Sequence, residues 1–379
     1  MKSGFTNLGE IGEWGSGGTP LSSNPSFYNG SIPWLTIEDL NDGIVTRSNK
    51  SITELGLKFS SAKTVEPNTL LIAMYGSIGK LGISGIKCAT NQAIAYCKVN
   101  TEIADLWFVF FYLLYSRTKL LREGRGNTQQ NISQTFLKDF PIFLPPITEQ
   151  KRIAAILQKA DRIRQLRRYA RQLSDGYLQS VFLEMFGDPA NNNETKFSDV
   201  VEIDRKQANE QDRSSLPYIG LEDIESNQGI LTRDYSLIPR EMLATNYIFS
   251  ANHVLYGKLR PYLNKVFMPT FDGTCSTEIL PLLPKEKLIQ KSYLASYLMN
   301  DRFVEWASRN VEGANLPRLS PERLAEHKIP IPPKETQERF DIIFQKQKNL
   351  QRKMSEAERQ AEQLFHSLLH QAFEEDYKL

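Results

Sequence analysis

The sequence predicts an α+β protein: two mixed α/β globular domains separated by two long antiparallel coiled-coil helices, related by a pseudo-twofold internal repeat. Three observations carry this expectation. LPPITEQKRI (Leu144 to Ile153) returns as IPPKETQERF (Ile331 to Phe340), at an offset of 187 residues between Gln150 and Gln337. After each copy, apolar residues recur at three-and-four spacing over a long run. Before each copy lies a stretch of short β-rich runs punctuated by Gly, Asn and Ser.

The first globular domain is expected over residues 1–143. It opens with Gly15-Ser-Gly17-Gly18-Thr-Pro20 and PWLTIEDL (Pro33 to Leu40), and continues through the strand-like NTLLIAMYG (68–76) and AIAYCKV (93–99). A helical run, LWFVFFYLLYSRTKLLREG (106–124), follows. A central long helix is expected within 144–187, with Thr148 as N-cap and an apolar stripe that includes Ile153, Leu157 and Ile163. Gly187 and Pro189 stop it. Gly176 inside it costs about 1 kcal/mol relative to Ala, which allows a local bend.

The second globular domain, 188–333, repeats the first. PYIGLEDI (Pro217 to Ile224) echoes PWLTIEDL, Tyr256-Gly257 echoes Tyr75-Gly76, and SYLASYLMNDRFVEWASRN (292–310) is again helical. Gly313, Ser320 and Leu324 fall on Gly126, Ser133 and Leu137 at the same offset of 187. The C-terminal long helix, 334–379, carries Phe340, Phe344 and Leu350 on its stripe. A helix of about 36 residues is roughly 54 Å long, too long to bury its stripe against one compact domain. The two helices therefore pair with each other. Related units in one chain pack as a twofold dimer does, so the pairing is antiparallel. Ile153, Leu157, Ile163, Phe340, Phe344 and Leu350 are the expected packing residues.

Composition narrows the function. With 40% hydrophobic and 24% charged residues, the chain of 379 residues reads as an ordinary globular protein. Its longest apolar run, Leu106 to Tyr115, is too short to cross a bilayer, and the N-terminus lacks the apolar core of a signal peptide. Cys88, Cys97 and Cys275 form no C-x-x-C pair, which fits a reducing cytoplasm and argues against a disulfide framework or zinc site. Net charge is only +2, although residues 144–187 hold 8 basic against 4 acidic residues. Any phosphate contact must come from local clusters.

Catalytic motifs are nearly absent. Gly76-Ser-Ile-Gly79-Lys80 is too short for a phosphate loop, and neither glycine-rich stretch completes a dinucleotide motif. His253, His327, His366 and His370 form no metal-ligand set. Asp139 with Glu149-Gln150-Lys151 imitates a nuclease carboxylate–lysine pattern, but the second copy has Thr336 and Glu338 at those positions. What remains suits binding. GRGNTQQN (124–131) supplies Arg125, Asn127, Gln129 and Gln130, side chains that pair with guanine and adenine edges. The matching GANLPRLS (313–320) offers Asn315 and Arg318. Between Ala251 and Pro269 lie Lys258, Arg260, Tyr262 and Lys265 without an acid, with Lys80 in the thinner counterpart. Each loop also reads as a solvated polar turn. Alone they describe a two-headed binding protein with no stated ligand.

Several passages are similar to the specificity subunits of type I restriction–modification systems, the HsdS family. They are Gly17-Gly18-Thr19-Pro20 followed by Ile32-Pro33-Trp34, Asn91-Gln92-Ala93, Leu144-Pro145-Pro146 with Glu149-Gln150-Lys151-Arg152-Ile153, and the helix end Phe182 to Pro189. The second unit departs, having Ser276-Thr277-Glu278 for Asn91-Gln92-Ala93. The resemblance implies that each globular domain is a target recognition domain reading half of a bipartite, asymmetric DNA site, with Asn91 and Gln92 among the contacts. It implies helices that act as a ruler and dock two methyltransferase subunits, with restriction subunits joining the full complex. S-adenosylmethionine, ATP and magnesium would then sit on partners, leaving this chain without catalytic residues, metal or cofactor. Two other readings stay open: a stand-alone or silent phase-variable variant, and an interaction scaffold whose binding would lack the steep salt dependence of a DNA reader.

Overall fold

The computed structural model describes residues 4–123, 131–187, 194–232 and 245–374. The chain forms two compact units: one assembled from two separated stretches, 1–167 with 357–379, and one from the continuous stretch 168–356. Five helices organise them: α1 (Leu106–Tyr115), α2 (Ile147–Asp175), α3 (Tyr177–Phe186), α4 (Lys291–Met299) and α5 (Lys334–Glu374).

In the first unit, five strands among the described residues form a sheet in the order Gly12–Ser16, Ile94–Val99, Leu70–Ala73, Leu81–Ser84, Gly43–Val45. Leu70–Ala73 and Leu81–Ser84 are buried along their whole length, as a continuous apolar run in a covered strand requires. A second sheet sets Tyr28–Leu35 parallel to Cys88–Thr90, through Trp34 opposite Ala89 and Leu35 opposite Thr90. Gly17 and Gly18 cross this region at close range. A β-carbon on Gly17 would lie 2.0 Å from the Thr90 carbonyl oxygen, while Gly18 donates to that carbonyl (2.9 Å) and accepts from the Trp34 indole (3.0 Å). Only glycine fits there. The glycine pair and the tryptophan are thus one packing motif.

The second unit repeats both sheets. Val201–Ile203, Ile279–Pro284, Val254–Gly257 and Val266–Phe267 follow in the same order as the first four strands above, and Tyr218–Ile219 again runs parallel to Gly273–Ser276. Register corrects one detail of the sequence alignment. Tyr256 faces Val266 as Ile72 faces Leu81, so Tyr256 corresponds to Ile72 and the Tyr-Gly match was a coincidence of composition. The expected helices at 106–124 and 292–310 are each split. The break at Asn300 has a clear cause: this residue ends α4, and its side chain then accepts from Arg302 N (3.0 Å), capping the next helix.

The repeated proline–glutamine passage has the same physical job in both units. Proline has no N–H, so Pro145-Pro146 and Pro332-Pro333 end the preceding strand and open a helix without orphaning a donor. Gln150, 1% exposed, then folds back. It donates to Pro145 O (2.8 Å) and accepts from Asp105 N (2.9 Å), the residue that caps α1. Gln337, also 1% exposed, donates to Pro332 O (2.8 Å) and accepts from Gln290 N (2.8 Å), the cap of α4. One amide thus ties strand end, helix start and the cap of a second helix. Arg152 and Arg339 stay exposed, paired with Glu149 and Glu335 respectively (2.6 and 2.8 Å). The carboxylate of the nuclease-like pattern is thereby engaged.

The helices pack, but not by every expected residue. In the first unit Leu157 is buried with Ala154, Ala160, Phe365, Leu369 and Phe373, and Ile153 packs against this cluster half-buried. In the second unit Phe340 and Phe344 bury with Phe182 and Phe186. There Gln347 donates to Ser174 Oγ (2.6 Å), so α5 runs antiparallel to the end of α2 and to α3. Ile163 and Leu350, by contrast, are 47% and 48% exposed. An α-helix drifts by about 20° per heptad relative to a 3.5-residue seam, so a stripe drawn by hydrophobicity slides off the contact. The seam instead takes Ala361, Phe365, Leu369 and Phe373, each four residues apart, and polar groups such as Asp161 and Arg164. The central helix also breaks, at Gly176 between α2 and α3.

Candidate nucleic-acid interface

At the strand ends beyond Leu70–Ala73 in one unit, and Val254–Gly257 in the other, three segments meet through main-chain hydrogen bonds. In the first unit Met74 N donates to Ala93 O (2.8 Å) and Ile132 N to Met74 O (3.0 Å). In the second, Lys258 N donates to Glu278 O (2.9 Å) and Leu319 N to Lys258 O (3.0 Å). The small turn feeding each junction is locked alike: Asn91 Oδ1 accepts from Ala93 N, and Ser276 Oγ from Glu278 N, both at 3.2 Å. The backbone junction is the same; the side chains on it differ.

The lysines that close the neighbouring turns are also equivalent. Lys80 Nζ reaches Ile37 O (3.3 Å) and Lys265 Nζ reaches Leu221 O (2.8 Å). Each accepting residue starts a short 3₁₀ turn whose own aspartate, Asp39 or Asp223, accepts from the preceding N–H (2.7 and 2.8 Å). Both ammonium groups therefore brace their turn. In the first unit Arg117 adds a second brace, donating to Gly79 O (2.8 Å) and Asp42 Oδ2 (3.1 Å).

Sequence-predicted residues of the second unit converge on its junction. Arg260 is exposed and sits at φ +52°, ψ +66°, its N–H pinned to Pro317 O at 2.8 Å. A left-handed arginine is costly by about 1–2 kcal/mol and is the kind of strain that gathers at functional sites. Tyr262 is 55% exposed on the same turn. Asn315 is exposed on the facing hairpin, which Glu312 and Arg318 close with two main-chain hydrogen bonds of 2.9 Å. Lys258 is half-buried between them. Arg318 Nε donates to both oxygens of Glu278 (2.9 and 3.2 Å), and this carboxylate raises the guanidinium pKa above its usual value. Glu278 was not among the expected contacts. Its signal was an acid standing where the other copy has Ala93.

At the junction of the first unit fewer of the expected residues can be placed. Asn91 is partly buried in its turn, while Gln92 is exposed and accepts from the Thr19 hydroxyl. Arg125, Asn127, Gln129 and Gln130 lie outside the described residues. Among the described residues, no group of three or more His, Cys, Asp and Glu side chains could hold a metal ion. Burial pushes the Cys88 and Cys97 thiols up to about 12, which makes both poor nucleophiles.

The family model described as "Type I restriction modification DNA specificity domain" matches residues 2–172 and again 189–363. The EcoDI specificity subunit of Escherichia coli is 24% identical over 411 residues, covering 97% of this chain and 86% of that protein. The EcoR124I/EcoR124II specificity subunit, also from E. coli, is 33% identical over 165 residues, 41% of this chain and 40% of the relative. Among solved structures, a type I system S subunit from M. genitalium shares the fold at a TM-score of 0.61 and 15% identity, covering 98% of this chain and 96% of its own. A chain from a study of type I R-M complex assembly gives 0.58 at 17% identity, with 98% and 97% covered.

Proposed function

The chain belongs to the type I restriction modification DNA specificity family, and from that premise we propose that each globular domain, 1–143 and 188–333, reads one half of a bipartite, asymmetric duplex site. The chain is a specificity subunit with two tandem recognition domains, and it is not itself an enzyme. The helical segments 144–187 and 334–379 dock two methyltransferase subunits, with restriction subunits completing the assembly in the cytoplasm. S-adenosylmethionine, ATP and magnesium are bound by those partners. Apolar side chains left uncovered on the helices support docking: Ile156, Ile163 and Leu166 in one unit, Tyr169, Leu173 and Leu350 in the other.

The observation that carries the two-headed reading is the junction built twice on one backbone plan with different side chains. A shared frame with exchanged side chains is what two heads reading different half-sites require. Base-edge contacts are assigned to Asn91, Gln92, Arg125, Asn127, Gln129 and Gln130 in the first half-site, and to Asn315 and Arg318 in the second. Lys258, Arg260 and Tyr262 meet the backbone, and Lys80 and Lys265 hold their turns while adding charge nearby. Exchange of residues 1–143 with those of a relative, followed by methylome sequencing of the host, tests this. One half of the methylated motif should change; a change in both halves, or neither, refutes the reading.

A further inference from the structure

We infer that Glu278 is a positioning residue for Arg318, orienting its guanidinium to read one guanine in the half-site of the second unit. The inference rests on the DNA-reading role proposed above and names a residue that role did not include. Arg318 commits Nε to the carboxylate at 2.9 and 3.2 Å. Nη1 approaches only Leu316 O, at 3.4 Å, and Nη2 makes no hydrogen bond among the described residues. The Nη edge is thus left to donate twice, as the O6 and N7 acceptors of guanine require.

Both partners are held by their main chains. Glu278 O accepts from Lys258 N, and Arg318 exchanges two hydrogen bonds with Glu312. The side chains remain 40% and 27% exposed, so the pair is accessible.

A purely structural ion pair is the competing account. Exposed pairs of this kind add little to stability, and the first unit closes the same junction with Met74 and Ala93 where the second has Lys258 and Glu278. The frame does not need the pair. Nor does the pair suit a phosphate, because an adjacent carboxylate repels it. A guanidinium whose positive charge is offset by the adjacent carboxylate favours an uncharged acceptor edge, leaving phosphate to Lys258 and Arg260.

The test uses the full chain assembled with its modification subunits, selecting from a library of random duplexes. Arg318→Ala, Arg318→Lys and Glu278→Ala should each relax the same single base pair by roughly ten- to a hundredfold, because lysine cannot reproduce the planar fork. Glu278→Gln, which keeps the shape, should relax it less. The double variant should add nothing further, and Glu278→Ala should not weaken binding to unselected DNA. Relaxation at a different base pair by Glu278→Ala would make Glu278 itself the reader and overturn the inference. So would additive effects, an even loss across all sequences, or an unchanged motif. A wild-type complex that selects no sequence overturns the DNA-reading role together with the inference.

Discussion

Replacing Gln150 by Leu isolates what the repeated passage does, because the side chain keeps its approximate volume and loses only its amide. Two part-buried main-chain groups then lose their short hydrogen bonds, Pro145 O, now 2.8 Å from Nε2, and Asp105 N, now 2.9 Å from Oε1, and Ile103 O loses a longer one of 3.4 Å. A fully buried unsatisfied group costs about 1–3 kcal/mol, so the two short bonds set the loss at up to about 6 kcal/mol, with about 2 kcal/mol as its lower end. The first compact unit comprises 1–167 and 357–379, and in a domain of that size 1 kcal/mol shifts Tm by about 2–4 °C. Thermal unfolding followed by circular dichroism or calorimetry should therefore show a fall of about 5–20 °C. Gln337→Leu should do the same through Pro332 O and Gln290 N. Gln150→Glu refines the test. Its carboxylate still accepts from Asp105 N but repels Pro145 O, and protonation restores the donor. Burial raises that carboxyl's folded pKa above its unfolded value. The stability of the variant relative to wild type is then greatest at low pH and declines as pH rises through the folded value. A Leu variant melting within about 2 °C of wild type, or a Glu variant indifferent to pH, would refute the argument.

Seam residues should separate by burial: Leu157→Asp and Phe344→Asp each lose several kcal/mol through a buried unpaired charge, whereas Ile163→Asp and Leu350→Asp leave the melting temperature nearly unchanged. An Ile163 variant as unstable as the Leu157 variant would show the seam wrongly drawn. Lys258→Ala or Arg260→Ala should weaken all duplexes evenly and flatten the salt dependence by about one unit of slope; a base-specific effect would contradict a phosphate role. Burial against Trp306 (ring centroids 3.8 Å apart) lowers the pKa of His327 to about 4 from its usual 6.5. The unfolded chain then binds more protons between those values, so stability from this group is present above pH 6.5 and lost as pH falls through 4. His327→Gln should reduce that acid sensitivity in a pH-resolved melt.

The sequence by itself determined what its own repetition encodes. Two similar units and two long helical segments follow from residue types at fixed spacing, because periodicity reports which face is buried. Tertiary structure alone decided which partners those residues meet. Gln150 and Gln337 stood out in the sequence as repeated residues, but their hydrogen-bond partners lie 45 and 47 positions away across the fold. Ile163 and Leu350 carry the right hydrophobicity and still face outward, because the seam follows the rotation of real helices rather than a row of apolar letters. Glu278 was visible as an odd acid, yet only the junction of three distant segments places it against Arg318. Local pattern is a property of neighbouring residues; a hydrogen bond or an ion pair between distant ones exists only once the chain has closed upon itself.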